Sequence, residues 1–320
     1  MKSSVTKEEI KEMLCLSQQK FEEIRIKAVE KRNKNLGNNA YIRASLEIGN
    51  GCMNKCKYCG MSSDNKELYR YKMSGEEIKE CIDQIAEYGI KQLHMVSGES
   101  KDPIDDIIEC IKYAKKKGLE VTTVLGKREK SVYRELYDAG ASRYIMKFET
   151  SNSDVYEKAK PDDLLQDRLL NIEKLKEIGF KVGTGTIIGL PETTMNDVVN
   201  DLLLLKKINP NMASSSAFSP NRQSVYSNEL AGSKELTLRF ISLMRLILRD
   251  DIYIPSSSSL GFHGQIDALN HGANVISVHF TPEKYSNQFS MYKSKNRIKR
   301  QMDEILEIVE SANMKIGEYV

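Results

Sequence analysis

Three of the six cysteines fall within eight positions, as Cys52, Cys56 and Cys59 in the stretch GNGCMNKCKYCG. Six cysteines in 320 residues are too few for a disulfide scaffold, and the chain opens on the polar MKSSVTKEEIKEM, without the look of an export signal. The triplet is therefore expected as reduced thiols that ligate a metal or a cluster. Three thiolates on a short glycine-flanked loop can hold three corners of an iron–sulfur cubane. A four-iron cluster ordinarily takes four cysteines, so three leave one iron open to a substrate or cofactor. Two other readings compete. Zinc wants four ligands and would need one of His94, His263, His271 or His279 brought close by folding. The third reading is coincidence among buried cysteines. The remaining cysteines read as packing: Cys81 stands beside Ile78, Ile82 and Ile85, Cys110 beside Ile107 and Ala114, and Cys15 lies on an N-terminal helix.

Polar residues at the ends of apolar runs supply further candidates. Ser97, Gly98 and Glu99 follow one run. Glu149 follows Phe148, where a carboxylate can bind an ammonium group or ribose hydroxyls. Arg168 can answer a carboxylate with its bidentate fork. Lys147 stands two residues before Glu149 and should share its face of a strand. In GTIIGLPE, residues 185–192, glycines let the backbone approach a planar ligand and Ile187 offers an apolar face. Serines crowd positions 214–216 and 256–259, Arg222 follows the first group, and His279 ends the last apolar run. Lys147, Arg222, Ser257 and His279 are the substrate-side candidates, suited to a carboxylate-bearing small molecule.

The elements that must position these residues alternate along the chain. Apolar runs at 42–48, 92–96, 121–125, 144–148, 182–188, 212–218, 252–254 and 275–280 read as strands. Helical patterns occupy 74–88, 103–117, 131–139, 165–178, 195–208, 235–248, 265–270 and 295–312, and a lead helix is expected over 6–32 with Thr6 as N-cap and Glu9 three residues on. Ser74 with Glu77 makes a second capping box. Gly89, Gly118, Gly140, Gly179 and Gly272 fall where helix C-termini want a left-handed residue. Eight strand–helix units predict an α/β chain with a complete (β/α)8 TIM-type barrel over 41–320, preceded by an N-terminal helical extension over 1–40. In such a barrel the chemistry sits where strands end.

The loop CMNKCKYCGM resembles the cluster loop of radical S-adenosylmethionine (SAM) enzymes, with Tyr58 as the usual aromatic before the last cysteine. The resemblance implies that Cys52, Cys56 and Cys59 hold one [4Fe–4S] cluster whose open iron chelates SAM. Its reductive cleavage would give a 5′-deoxyadenosyl radical that abstracts hydrogen. Ser97-Gly98-Glu99 resembles the family's Gly-Gly-Glu segment, and residues 185–192 match its G-x-I-x-G-x-x-E pattern. By resemblance Tyr58, Ser97, Gly98, Glu99, Glu149, Arg168, Ile187 and Gly189 bind SAM. From Tyr41 to about Lys293 the chain is similar to the biotin synthase, methylornithine synthase and hydrogenase-maturation group, the last most of all. It departs from biotin synthase in lacking cysteines or an arginine at the strand ends that hold a second, sulfur-donating cluster, which disfavours sulfur insertion.

The expected activity is hydrogen abstraction from a small polar, amino-acid-like substrate, followed by rearrangement or fragmentation, with flavodoxin or ferredoxin as electron donor. Sulfur insertion through an unrecognised second cluster and a zinc-binding scaffold barrel are the alternatives. Lys+Arg 48 against Asp+Glu 45 gives net charge +3, too balanced for a nucleic-acid binder that relies on counterion release. No apolar run is long enough to span a bilayer, and the basic run at 293–300 reads as the solvated face of a helix. A cytoplasmic enzyme is expected.

Overall fold

Helix ends follow the local signals closely. In the computed structural model, which describes residues 5–291 and 301–318, Thr6 and Ser74 both form reciprocal capping boxes with the glutamates three residues on. The five expected glycines all adopt positive φ. The helices are α1 Lys7–Cys15, α2 Gln18–Leu36, α3 Gly75–Glu87, α4 Asp105–Lys116, α5 Lys130–Asp138, α6 Ser153–Ala159, α7 Leu165–Ile178, α8 Met195–Ile208, α9 Lys234–Ile247, α10 Gly261–Asn270, α11 Glu283–Ser286 and α12 Met302–Ser311. The lead helix is two helices, because Leu16 and Ser17 take extended ψ and break it. The break exposes Cys15, which does not pack as expected. Arg239 on α9 donates to the carbonyls of Leu14 and Leu16, so the joint is held against the body of the fold.

The strands are β1 Asn39–Gly49, β2 Gln92–Ser97, β3 Glu120–Val124, β4 Ala141–Ile145, β5 Lys181–Ile188, β6 Met212–Ala217, β7 Val275–His279 and β8 Lys315–Gly317. They form a parallel sheet in the order β6-β5-β4-β3-β2-β1-β7, with the short β8 on the first residues of β1. This is an α/β fold whose parallel sheet forms a half-barrel. Residues 252–254, expected as a strand, form no ladder; the isolated parallel bridge Met212↔Tyr253 lies within them and Pro255↔Val275 one residue beyond. Two local facts explain the interruption. Pro255 has no N–H to give a ladder, and the Asn274 side chain intercepts the Ile254 N–H at 2.8 Å. The basic run 293–300 and the start of the expected C-terminal helix lie outside the described residues; α12 begins at Met302.

Cys81 and Cys110 are buried on α3 and α4, as the sequence pattern suggested, and burial pushes both thiols up to about 11. No helix of the described residues is long and apolar enough to cross a membrane.

Candidate active site

The cysteine loop leaves β1 at its C-terminal end and is pinned by backbone hydrogen bonds from Met53 to Glu99 O, from Lys57 to Ala159 O and from Tyr226 to Lys57 O, each 2.8 Å. All three thiols line one cavity of about 310 Å³. A larger cavity of about 580 Å³ opens at the opposite ends of the strands, beside Asn39, Lys181 and Asn211. The thiols, and the strand ends where parallel-sheet chemistry resides, belong to the smaller one.

Burial, reinforced by their mutual proximity, pushes Cys56 and Cys59 well above the usual thiol range, while burial alone leads the rise at Cys52. Such thiols stay protonated unless a cation holds them as thiolates. Among the described residues no three His, Cys, Asp or Glu side chains are gathered tightly enough for a single ion. A cubane asks for something different, one thiolate at each of three corners, and the donor set of three thiols on one wall fits it. Met61 N–H already donates to Cys59 Sγ at 3.4 Å. Gly98 fits the loop against β2: a Cβ there would lie 2.2 Å from Gly51 O and 2.9 Å from Cys52 Cβ.

Facing the loop is a buried charge group. Arg168 places Nη1 3.1 Å from Glu99 Oε2 and Nη2 3.2 Å from Asp163 Oδ2, and its Nε donates to Tyr156 Oη at 3.1 Å. Lys160 lies 2.7 Å from Asp163 Oδ2 and 3.9 Å from Glu99 Oε2, and Lys127 also pairs with Asp163. Three cations thus meet two carboxylates in this group of five, an arrangement that suits an added anionic group. Sequence reading found Glu99 and Arg168 but missed Lys160, Asp163, Tyr156 and Lys127. The i, i+3 pair Lys160–Asp163 in KPDD was the available signal.

Glu149 sits beyond the end of β4, bridged to Thr186 of β5, with φ +63. A left-handed non-glycine residue costs about 1–3 kcal/mol and persists only where its surroundings impose it. Here the imposing bonds are Glu149 N to Gly185 O at 3.0 Å and Ile187 N to Glu149 O at 2.8 Å. Its Oε2 lies 3.0 Å from Lys147 Nζ, so the two share a face as the alternation required. That oxygen is buried and, apart from the Lys147 ammonium, meets no hydrogen-bond donor among the described residues.

The structure brings most of the expected residues together. Cys52, Cys56, Cys59, Tyr58, Ser97, Gly98, Glu99, Lys147, Glu149, Arg168, Ser257 and His279 all line the cavity. Three do not. Arg222 is exposed and absent from the lining; its neighbour Asn221 is fully buried on Ser290 and directs the next residue outward. Ile187 and Gly189 stand one layer back. Ile187 packs with Val155, Leu190 and Phe218 against Tyr58, so it supports a lining residue instead of being one. Gly189 has φ +80, and a Cβ would meet Gly232 Cα at 2.6 Å, so it is needed for backbone approach. The floor is polar: Ser216 Oγ, His94 Nε2 and His279 Nε2 are buried without a hydrogen-bond partner among the described residues.

Comparison with known proteins bears on the same residues. A family model described as the radical SAM superfamily matches residues 46–205, from β1 through the cysteine loop to α8. The [FeFe] hydrogenase maturase subunit HydE of Thermotoga maritima is 37% identical over 295 residues, 91% of this chain and 84% of that protein. The 3-methylornithine synthase of Methanosarcina acetivorans is 25% identical over 276 residues, 84% of this chain and 78% of its own. The crystal structure of methylornithine synthase (PylB) superposes with a TM-score of 0.89 over 98% of this chain and 95% of that one, at 22% identity, a likeness of fold. With the family model spanning half its length and a 37%-identical relative covered nearly end to end, this chain belongs to the radical SAM superfamily of enzymes.

Proposed function

We propose that the cavity beside the cysteine loop is where SAM and a small amino-acid-like substrate meet, for a reaction of the hydrogenase-maturase or methylornithine-synthase kind. The family uses a [4Fe–4S] cluster and SAM, and in this reading Cys52, Cys56 and Cys59 hold the cluster. When bound, this pair supplies one-electron reductive chemistry that ends in removal of a hydrogen atom from the substrate. One observation carries the reading: the three thiols share a single cavity with two carboxylate–cation groups, Glu99–Arg168 and Lys147–Glu149.

The residues divide the work by chemistry. Arg168 and Lys160 offer fixed positive charge to a carboxylate, and Glu99 and Glu149 offer acceptors to an ammonium group or to ribose hydroxyls. Tyr58, backed by Ile187, places an aromatic ring beside the thiols. Ser97 donates its hydroxyl to Gly98 O at 2.8 Å and stiffens the turn under them. Lys147, Ser257 and His279 face the space left for the substrate. The bridges at Tyr253 and Pro255 support closure of the sheet into a full barrel, which would exclude water and oxygen from the site. A small acidic redox protein such as flavodoxin or ferredoxin would deliver the electron.

The test is anaerobic reconstitution with iron and sulfide, followed by reduction with dithionite in the presence of SAM. About four irons per chain and release of 5′-deoxyadenosine are expected. Zinc in place of iron, with no deoxyadenosine, overturns the reading. Near eight irons per chain would favour sulfur insertion through a second cluster instead.

A further inference from the structure

Strand β1 turns Arg43, Ser45 and Glu47 to one side by its two-residue alternation, and all three line the cavity. The pairing register sets Ser45 opposite His94 on β2 and opposite His279 on β7. Two imidazoles therefore flank one serine across three neighbouring strands, with Glu47 one step nearer the cysteine loop. Glu47 and His279 are both deeply buried, with side-chain exposures of 1% and 7%, and His279 Nδ1 lies 3.5 Å from Glu47 Oε1. His279 Nε2 is buried without a hydrogen-bond partner among the described residues.

We propose that Glu47 and His279 form a proton-transfer dyad, in which His279 Nε2 accepts a proton from an ammonium group of the substrate. The proposal rests on the reading above that a small amine-bearing molecule reacts in this cavity. Glu47, by accepting from Nδ1–H, fixes the tautomer that leaves the Nε2 lone pair free, and it then stabilises the imidazolium. The separation of 3.5 Å is long for a hydrogen bond, as is common before a substrate tightens such a pair.

The step balances without an electron changing hands. The substrate N–H bond breaks with its electron pair left on nitrogen, an Nε2–H bond forms, and the positive charge moves to the ring beside the Glu47 carboxylate. Burial lowers an amine's pKa, by up to about 3–5 units where it is complete, which brings an ammonium toward the reach of an imidazole. A neutral amine donates its lone pair to an electron-deficient carbon next to it, and an ammonium does not, so the transfer assists removal of a neighbouring hydrogen atom. Among the described residues the strand register places near the ring Ser45 on β1, Ser277 two residues below on β7, Arg43 opposite Ser277, and His94 beyond Ser45. His94 is pushed well below the usual imidazole range, by burial first and then by Arg43 and His279. It therefore adds no charge that would compete for Glu47.

Nitrogen-15 NMR of the histidine rings in the reconstituted holoenzyme tests this without knowledge of the natural substrate. The chain has four histidines, and replacing them one at a time assigns His279 directly or by elimination. Neutral His279 is expected to carry its proton on Nδ1, and E47Q is expected to move it toward Nε2. At fixed pH, ethylammonium should shift the Nε2 signal toward the imidazolium position, whereas tetramethylammonium, which has no N–H, should not. A proton on Nε2 in the wild-type enzyme, equal shifts with both probes, or no shift with either would overturn the dyad. Deoxyadenosine release by the wild-type enzyme tests the radical reading separately and does not depend on the tautomer.

Discussion

Gly98 offers the sharpest test of how the cysteine loop is positioned. Its backbone N–H donates to Gly49 O at 3.2 Å, and a Cβ at this position would lie 2.2 Å from Gly51 O, 2.8 Å from Gly51 C and 2.9 Å from Cys52 Cβ. An ordinary C···O contact is about 3.3–3.6 Å, so Gly98→Ala is short of room by roughly 1 Å. Every obstacle is backbone or a first side-chain carbon, and none is the far end of a flexible chain. The loop that carries Cys52 must therefore move by about that amount. A misplacement of 1 Å costs on the order of 100-fold in rate, while overpacking costs about 1–3 kcal/mol in stability.

The assay is deoxyadenosine release with SAM and dithionite, read beside iron content and melting temperature. Gly118→Ala is the control. Gly118 has φ +77 and open space around its Cβ position, so its substitution costs about 1–2 kcal/mol for the left-handed backbone and leaves the rate unchanged. Rates for the two variants within about threefold of each other, at similar melting temperatures, would show that the tight packing of Gly98 does not position the loop.

Three further outcomes are expected. Cys56→Ala should lose the four-iron absorption while far-UV circular dichroism stays that of the wild type, because the loop lies outside the strand core; retention of four irons would contradict the ligand assignment. Arg245→Met should lower the denaturant midpoint strongly. The Arg245 guanidinium donates to Gly272 O, Ile252 O and Asn274 Oδ1. Asn274 Oδ1 keeps the Ile254 N–H, whereas the two carbonyls lose this donor, at about 1–3 kcal/mol for each buried acceptor left without a partner; a loss under about 1 kcal/mol would mean that water or a neighbour replaces it. Asp201 on α8 accepts the Ser151 N–H at 2.5 Å, beside Glu149, and burial raises it to about 7. Its folded pKa exceeds the unfolded value near 3.9, so between about pH 4 and 7 the folded chain keeps a proton that the unfolded chain has released. Stability should fall as pH rises through that window and level off above it. Asp201→Asn should remove this component, and denaturant unfolding at pH 5 and 7.5 checks it; equal pH dependence in both proteins would refute it.

Much of the site was legible because its signals are short-range. The Cys52–Cys59 spacing, the capping boxes at Thr6 and Ser74, and the glycine caps depend on neighbours within one turn or one loop, and the sequence carries that information directly. The face shared by Lys147 and Glu149 follows from alternation alone. Failures came where longer-range contacts or side-chain competition intervened. Residues 252–254 have the composition of a strand, but Pro255 and the Asn274 side chain divert their hydrogen bonding. Arg222 has the chemistry of an anion ligand, yet the anchoring of Asn221 on Ser290 turns it to solvent. Cys15 is the last residue of α1, whose pattern the extended Leu16 breaks.

By itself, then, the sequence determined the cysteine loop and its spacing, the alternating α/β architecture and the family, because motif spacing and periodicity are local properties of the chain. Tertiary structure decided the rest. It joined Glu99 to Arg168 across 69 positions, gathered Lys160 and Asp163 around them, and set His279 beside Glu47 by pairing the last long strand with the first. Those contacts depend on strand register and on how far the sheet rolls, which a linear spacing does not encode.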